Sequence, residues 1–271
     1  MTPQDVVSAV LKSVAEKAKV GANLLDLERS AETTMTLYGV ISANKGYQPN
    51  GATVPFPSVL CLGVNDTIAH GIPKDYDLKD GDLLTIDCGV MVDGKCGDAG
   101  FTIPIGTISN ADERLLRYTR RALYEGIKAV KPGIKVTEIG KAIERLVLMN
   151  GYVVNRYLHG HGIGEQMHME PTIPNFEIGT EQIKEEYKNV NGKVKYRYKQ
   201  KERTNIPTLY EGQIICIEPH VTYRDFAGIR GSDGWTIKTH DGKKSAMAEH
   251  MVKVTSLGYE ILTSHIKEEV K

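Results

Sequence analysis

The sequence contains no pair of closely spaced cysteines. Its four cysteines, at positions 61, 88, 96 and 216, form no CxxC motif, which excludes a zinc ribbon and a thioredoxin-type redox motif. Scattered cysteines are typical of proteins that work in a reducing compartment. We therefore expect free thiols and a cytoplasmic protein.

Long apolar runs are also absent. The sequence has no stretch of about 18 apolar residues, the length that a membrane-spanning helix requires. Its first residues, MTPQDVVSAVLKSVAEKAK, have amphipathic spacing with charges throughout, and they lack the apolar segment of a signal peptide. We expect neither a membrane span nor a secretory leader.

The sequence also has no net charge. Lys and Arg together number 34, and so do Asp and Glu, which argues against a chain-wide nucleic-acid coat or an acidic tail. Any function of charge must then be local. With 271 residues, the chain is long enough for one large domain or two small ones, and for a core that buries about three quarters of its unfolded surface. We expect a soluble monomer.

Two segments, 18–39 and 130–151, resemble each other at an offset of 112 residues. Each pattern predicts the end of a helix, a glycine turn and a second amphipathic helix that ends at glycine. The matching positions are Gly21, Leu24, Leu27, Glu32 and Gly39 in the first segment and Gly133, Val136, Ile139, Glu144 and Gly151 in the second. Chance similarity between amphipathic helices is the alternative. A true repeat predicts one domain over 1–271, with similar αβ halves at about 1–106 and 111–265 and a site where they meet.

A polar segment, 177–208, fits neither half and is interpreted as an insert. Its Asn191-Gly192 dipeptide predicts a two-residue hairpin turn, which would pair Glu186 with Arg197 and Tyr187 with Tyr196. Residues 184–203 contain eight Lys or Arg against three Glu. This basic hairpin is either a solvated flap without a partner or a contact surface for RNA or another acidic surface.

The segment TIDCGVMVDGKCGDAGFTIPIG, residues 85–106, predicts a second hairpin with its turn at Asp93-Gly94. Gly89 then faces Asp98, and Asp87 becomes a diagonal neighbour of Asp98 on the same face, with Cβ atoms about 7 Å apart. Two aspartates on one face of an apolar strand pair are costly unless a cation compensates their charge. A metal site and a solvent-exposed face are both compatible with this pattern.

Further metal-ligand candidates lie in three apolar or glycine-rich segments. Glu218 lies in IICIEPHV and Glu249 in SAMAEHMVKV, while LHGHGIGEQMHMEP, residues 158–171, contains three histidines. Each glutamate alone is also compatible with a structural ion pair. Carboxylates combined with one imidazole suit divalent Mn, Fe, Co or Zn.

Six segments, taken together, resemble the type I methionine aminopeptidases of peptidase family M24. They are NDTIAHGIP, LLTIDCGVMVDGKCGD, HGHGIGEQMHMEP, IICIEPHV, SDGWTIKT and SAMAEHMVKVT, in that order. The resemblance covers nearly the whole chain except the insert. It implies an α+β pita-bread fold, with pseudo-twofold αβ halves, an antiparallel sheet and outer helices. Two alternatives remain: an Xaa-Pro aminopeptidase, and a catalytically silent pita-bread protein that binds the ribosome or RNA.

The resemblance also implies a function and a set of site residues. The implied reaction removes the N-terminal methionine from nascent polypeptides with a small second residue, using two divalent ions from among Co, Mn, Fe, Ni and Zn. The implied metal ligands are Asp87, Asp98, His161, Glu218 and Glu249. Glu218 is also the implied general base and acid, while His70 and His168 are implied to contact the scissile peptide. The implied methionine pocket contains Phe56, Cys61, Met167 and Trp235.

The sequence differs from the family pattern at several positions near these residues, and none of the differences removes an implied metal ligand. They concern metal affinity, rate and side-chain preference. The positions are Gly89, Glu165, Met167, Met169 and His220. His220 could add a hydrogen bond or a further ligand near Glu218, and His159 is interpreted as structural.

Overall fold

The computed structural model describes residues 1–188 and 194–263. Within these residues the helices are α1 (Pro3–Lys17), α2 (Leu24–Tyr38), α3 (Asn110–Lys128) and α4 (Thr137–Met149). The strands are β1 (Ile41–Ser42), β2 (Leu60–Val64), β3 (Thr67–Ala69), β4 (Leu83–Val92), β5 (Lys95–Pro104), β6 (Val153–Val154), β7 (His159–Gly162), β8 (Met169–Pro174), β9 (Thr180–Lys188), β10 (Val194–Glu202), β11 (Ile214–Ile217), β12 (His220–Thr222), β13 (Ile229–Arg230), β14 (Ile237–Lys238), β15 (Ser245–Met247), β16 (His250–Thr255) and β17 (Gly258–Ile261). None of the described helices combines the length and the apolar character needed to cross a membrane.

The helix pairs α1–α2 and α3–α4 confirm the helix, turn and helix pattern predicted at an offset of 112 residues. Gly21 and Gly133 both have φ of +84° in the turns, a backbone conformation that favours glycine. Gly39 caps α2 with φ of +64°, whereas Asn150 caps α4 and Gly151 follows it with φ of +83°. The division of the chain into one domain with two halves stays a prediction.

Antiparallel sheets meet where β5 passes the residues before β16. β4 pairs with β1, β2 and β5, while a second sheet has the order β17-β16-β11-β7-β8. The backbone N–H of Glu249 donates to the Gly100 carbonyl oxygen at 2.8 Å, and Phe101 forms an antiparallel bridge with Ala248. Four helices with antiparallel sheets, in the part of the chain described, confirm the expected α+β class.

Each helix pair packs against its own set of strands. α1 and α2 contribute Val10, Leu11 and Leu27 to a core with strands β2, β4 and β5. α3 and α4 contribute residues such as Leu123 and Ile143 to a second core with β11, β12 and β16. Full burial of each large aliphatic side chain stabilises the fold by about 1.5–3 kcal/mol. The helices therefore cover the outside of the sheets and leave their other faces for a site.

The inserted hairpin is present as β9 and β10, but its register differs by one residue from the prediction. Tyr187 lies opposite Lys195, and Tyr196 lies opposite Glu186, so the predicted pairs Glu186–Arg197 and Tyr187–Tyr196 are wrong. Lys188 lies opposite Val194, whereas a turn centred on 191–192 would place Lys188 opposite Lys195, so each described pair is shifted by one residue. The predicted turn at 191–192 lies outside the described residues.

Candidate metal centre and active site

The β4–β5 hairpin has the register that the sequence predicts. Gly89 lies opposite Asp98, and Asp87 lies opposite Gly100. Asp93 and Gly94 both have positive φ, +48° and +74°, as a two-residue turn that follows the strand twist requires. The two aspartates therefore lie on the same face of the hairpin, as expected.

Three further ligand candidates face this hairpin from the second sheet. His161 lies in β7, Glu218 follows β11, and Glu249 precedes β16. The Nε2 atom of His161 is 3.6 Å from Asp98 Oδ2 and 3.6 Å from Glu218 Oε1. Its Nδ1 atom lies 3.0 Å from the Gly162 carbonyl oxygen, a contact that fits a donated hydrogen bond and leaves Nε2 for a metal.

Glycines on both sides of His161 let β7 lie between its neighbours. A Cβ atom at position 160 would be 2.1 Å from the Cys216 carbonyl oxygen, and one at position 162 would be 2.3 Å from the Glu170 carbonyl oxygen. Backbone cannot move aside as a flexible side chain can, so side chains at these positions would force the strands apart. The HGHG sequence thus lets β7 approach its neighbours closely and fixes the position of His161 between them.

Burial and like charge oppose ionisation of this cluster when no cation compensates it. Burial raises the pKa of Asp87 and of Glu249 well above their usual values, and the Asp98 carboxylate raises both further. Burial also raises the pKa of Glu218 to about 8, although His161 opposes the shift. Burial alone would lower the pKa of His161, but Asp98 and Glu218 raise it to about 9.

The donor set fits a divalent cation. Asp98 Oδ1 and Glu249 Oε1 are buried and have no hydrogen-bond partner among the described residues, and an unpaired buried carboxylate oxygen is costly unless a cation compensates it. Ligand atoms of Asp98, His161, Cys216 and Glu249 all lie within 4.8 Å of one another.

Cys216 was expected only as a free thiol, although one signal could have identified it as a ligand candidate. It lies in β11, two residues before Glu218, which directly follows the strand, and an extended chain places alternate side chains on one face. Its thiol is fully buried and reaches the Glu249 carboxylate, which is one cause of the raised pKa of Cys216 after burial itself and nearby charge.

All eleven site residues expected from the resemblance line one cavity of about 630 Å³. They are Phe56, Cys61, His70, Asp87, Asp98, His161, Met167, His168, Glu218, Trp235 and Glu249. The sequence did not indicate Asn44, Tyr47, residues 49–53 or Arg230, which also line the cavity. Residues 44–53 form a polar loop without hydrophobic periodicity, so no pattern distinguished them from an ordinary surface loop.

One end of the cavity is aromatic. The rings of Phe56 and Trp235 contact edge to face, with centroids 5.2 Å apart, and Cys61 is buried beside them. The indole N–H of Trp235 donates to the Val54 carbonyl oxygen at 3.1 Å. The Asp233 carboxylate accepts the backbone N–H of Trp235 at 2.9 Å, so the DGW sequence fixes the position of the indole.

Two histidines lie between the aromatic end and the carboxylates. Burial, helped by His168, lowers the pKa of His70 to about 4, and burial, helped by His161, lowers that of His168 to about 4. Both imidazoles are therefore neutral near pH 7. The backbone of His70 has φ of +52°, a costly conformation for a residue other than glycine and one that is concentrated at functional sites.

Two other histidines expected near the site have different surroundings. His220 Nδ1 lies 3.8 Å from Glu218 Oε2, beyond hydrogen-bond distance to that carboxylate. The His159 ring packs against Phe176, with centroids 5.6 Å apart, and burial lowers its pKa.

Comparisons with known proteins agree with this arrangement. The model of metallopeptidase family M24 matches residues 3–256. A methionine aminopeptidase of Aquifex aeolicus (strain VF5) is 35% identical over 259 residues, which cover 95% of this chain and 92% of that protein. Methionine aminopeptidase 1 of Bacillus subtilis (strain 168) is 33% identical over 262 residues, with coverage of 95% and 92%.

A solved structure extends the likeness to the fold. The crystal structure of methionine aminopeptidase from Rickettsia prowazekii superposes with a TM-score of 0.82 at 29% identity, covering 96% of this chain and 94% of that one. The architecture is thus the pita-bread fold expected from the resemblance. Since the family model spans most of the sequence and curated relatives exceed 30% identity across it, the chain belongs to metallopeptidase family M24.

Proposed function

We propose that this chain is a methionine aminopeptidase that removes the N-terminal methionine from nascent proteins and peptides whose second residue is small. The observation that carries the proposal is the single cavity in which a carboxylate and imidazole cluster adjoins a pocket of aromatic and sulfur-containing side chains. Such a pocket suits a thioether, and such a cluster suits a metal.

The chain's own residues would hold the metals. Methionine aminopeptidases of family M24 are dinuclear divalent-metal enzymes, and the residues proposed to hold two ions here are Asp87, Asp98, His161, Glu218 and Glu249. When bound, the ions supply polarisation of the scissile carbonyl and acidification of the attacking water. The ion identity would be among Co, Mn, Fe, Ni and Zn, because the donors are oxygen and imidazole.

Each remaining polar residue has a proposed task. Glu218 accepts the proton of the attacking water and delivers it to the leaving amine. His168, as a neutral imidazole, donates an N–H to the carbonyl oxygen as negative charge develops on it. His70 contacts the nitrogen of the scissile bond. Phe56, Cys61, Met167 and Trp235 enclose the methionine side chain and exclude water from it.

The direct experiment measures methionine release from Met-Ala-Ser, Met-Lys-Ser and N-acetyl-Met-Ala-Ser by chelated protein with each of the five metals added back. We expect metal-dependent release from the first peptide only, because the second has a large second residue and the third a blocked amine. Absence of release by folded protein with every metal would contradict the proposal and favour a silent binding protein. A fourth peptide, Ala-Pro-Ser, tests the alternative: release of its first residue without release from Met-Ala-Ser would favour an Xaa-Pro aminopeptidase.

The chain would act as a cytoplasmic monomer near the ribosome, where nascent polypeptides emerge. The basic composition of segment 184–203, with eight Lys or Arg against three Glu, supports a ribosome contact. Four of these basic residues belong to the sequence of β10: Lys195, Arg197, Lys199 and Lys201.

We expect glutamine at these four β10 positions to weaken co-sedimentation with ribosomes by at least about 10-fold at low salt, since basic contacts to phosphates dominate such binding. The matched control replaces four exposed lysines outside the hairpin with glutamine, for the same change in charge: Lys12, Lys19, Lys74 and Lys95. Cleavage of Met-Ala-Ser should be unchanged in both variants. Equal co-sedimentation of the two variants would contradict a specific role for the hairpin.

A further inference from the structure

Gly89 has no side chain where the wall of the cavity would otherwise have one. It lies in β4, two residues after Asp87, and its backbone φ is not positive, so the strand does not require glycine there. A Cβ atom at this position would be 2.5 Å from Met167 Cε, 2.9 Å from Met167 Sδ and 2.6 Å from Asn44 Oδ1. Met167 and Asn44 both line the cavity, and they fill the space above Gly89.

Of these two side chains, Met167 is the one free to move. Asn44 is 5% exposed, its side-chain amide donates to the Val59 carbonyl oxygen at 3.3 Å, and its backbone N–H donates to the Ser42 hydroxyl at 3.0 Å. Met167 is unbranched and has three rotatable side-chain bonds. A group added at position 89 would therefore displace the thioether before it displaced the amide.

The displaced thioether has room on the side of the cavity, which Met167 lines. Behind Met167 lies a packed cluster of Cys96, Ile163, Cys216 and Met251, and protein interiors of this kind have no space for an additional methyl group. The position of Met167 thus determines how much of the cavity is open, and the missing side chain at position 89 determines the position of Met167.

We propose that Gly89 is a specificity-determining residue: by letting Met167 lie against β4, it sets the width of the pocket that receives the first side chain of the peptide. The inference rests on the proposed function and adds to it a residue that does not itself line the cavity. The effects of substitutions at Gly89 and Met167 should therefore depend on each other, because a side chain at position 89 acts by displacing Met167.

The test compares kcat/KM for Met-Ala-Ser and for the same peptide beginning with 2-aminobutyrate, whose side chain is two heavy atoms shorter. In Gly89→Ala we expect the ratio of the two values to fall by about 10-fold or more, since one methylene in an apolar pocket is worth about that much. In a Met167→Ala background the same substitution should change the ratio by less than about 2-fold, because the coupled partner is gone.

Binding measurements distinguish a change in the width of the pocket from a change in catalysis. Isothermal titration calorimetry of metal-loaded protein should show that Gly89→Ala weakens the binding of L-methionine more than the binding of L-2-aminobutyrate. The matched control is Gly179→Ala, where the nearest atom to a new Cβ atom is 3.8 Å away, and both ratios should equal those of the wild type. Metal content is measured for every variant, because Gly89 lies opposite Asp98.

Three results would overturn the inference. If kcat/KM falls equally for both peptides and bound metal is lost, Gly89 is required by the metal centre and not by the pocket. An undiminished effect in the Met167→Ala background would exclude Met167 as the intermediary. Should Gly89→Ala not fold, Met167→Ala alone must admit a peptide beginning with phenylalanine, and an unchanged preference would end the proposal. A wild-type protein that cleaves no methionine peptide would instead contradict the proposed function, and methionine binding would still report on the pocket.

Discussion

Replacement of Glu218 by glutamine is expected to reduce methionine release from Met-Ala-Ser by at least about 10³-fold, with the fold retained. A general base typically contributes about 10²–10⁴-fold, and Glu218 is proposed to bind metal as well. Glutamine has nearly the same shape but cannot accept the proton from the attacking water. The measurement is kcat for the metal-loaded variant, with circular dichroism and metal content recorded on the same sample.

The control for this variant is Glu211→Gln, which makes the same chemical change at an exposed position. Its kcat should stay within about 2-fold of the wild-type value, as expected for surface substitutions. If Glu218→Gln retains metal and more than about a tenth of wild-type kcat, a different group must take the proton, and the assignment of Glu218 as base would be abandoned.

Removal of metal is expected to abolish activity and lower the melting temperature. The unpaired oxygens of Asp98 and Glu249, next to Asp87 and Glu218, make the cluster costly without a cation. A ligand at 100 times its Kd stabilises a protein by about 2.7 kcal/mol, which corresponds to about 5–10 °C for a chain of this size. Scanning calorimetry of chelated protein, before and after addition of Mn or Co, measures the shift.

His161→Ala provides the matched comparison for metal binding. Because it removes the imidazole expected to bind one ion, the stabilisation by Mn or Co should be smaller in this variant than in the wild type. Chelated wild-type protein that retains its melting temperature and gains none with any of the five metals would contradict a metal centre at this place.

The β4–β5 hairpin was predictable because the Asp93-Gly94 dipeptide is a strong local signal for a two-residue turn. Asp93 and Gly94 tolerate positive φ, and a two-residue turn fixes which residues face each other, so Asp87 and Asp98 could be placed on one face before the structure was known. The same reasoning gave the wrong register in the insert. There Asn191-Gly192 carries the same signal, yet the described pairs, such as Lys188 with Val194, are shifted by one residue from those that the turn predicts.

Other parts of the site depend on contacts that no local pattern encodes. Tyr47 comes from an irregular loop, yet its ring lies 4.9 Å from that of His168. Cys216 has no motif of its own, since it is a single cysteine within an apolar strand, although it stands two residues before Glu218. The aromatic end of the cavity was expected only through the resemblance, since Phe56 and Trp235 are 179 positions apart in the sequence.

The backbone hydrogen bond from Glu249 to Gly100 has a consequence for how the molecule would come apart. It joins β5, which contains Asp98, to Glu249, so the proposed metal ligands of the two sheets lie on either side of this contact. An ion held there would be bound by residues of both sheets, so neither sheet could open locally without releasing it. Metal occupancy would then raise the free energy of local opening at this junction and slow amide hydrogen exchange in the strands on both sides.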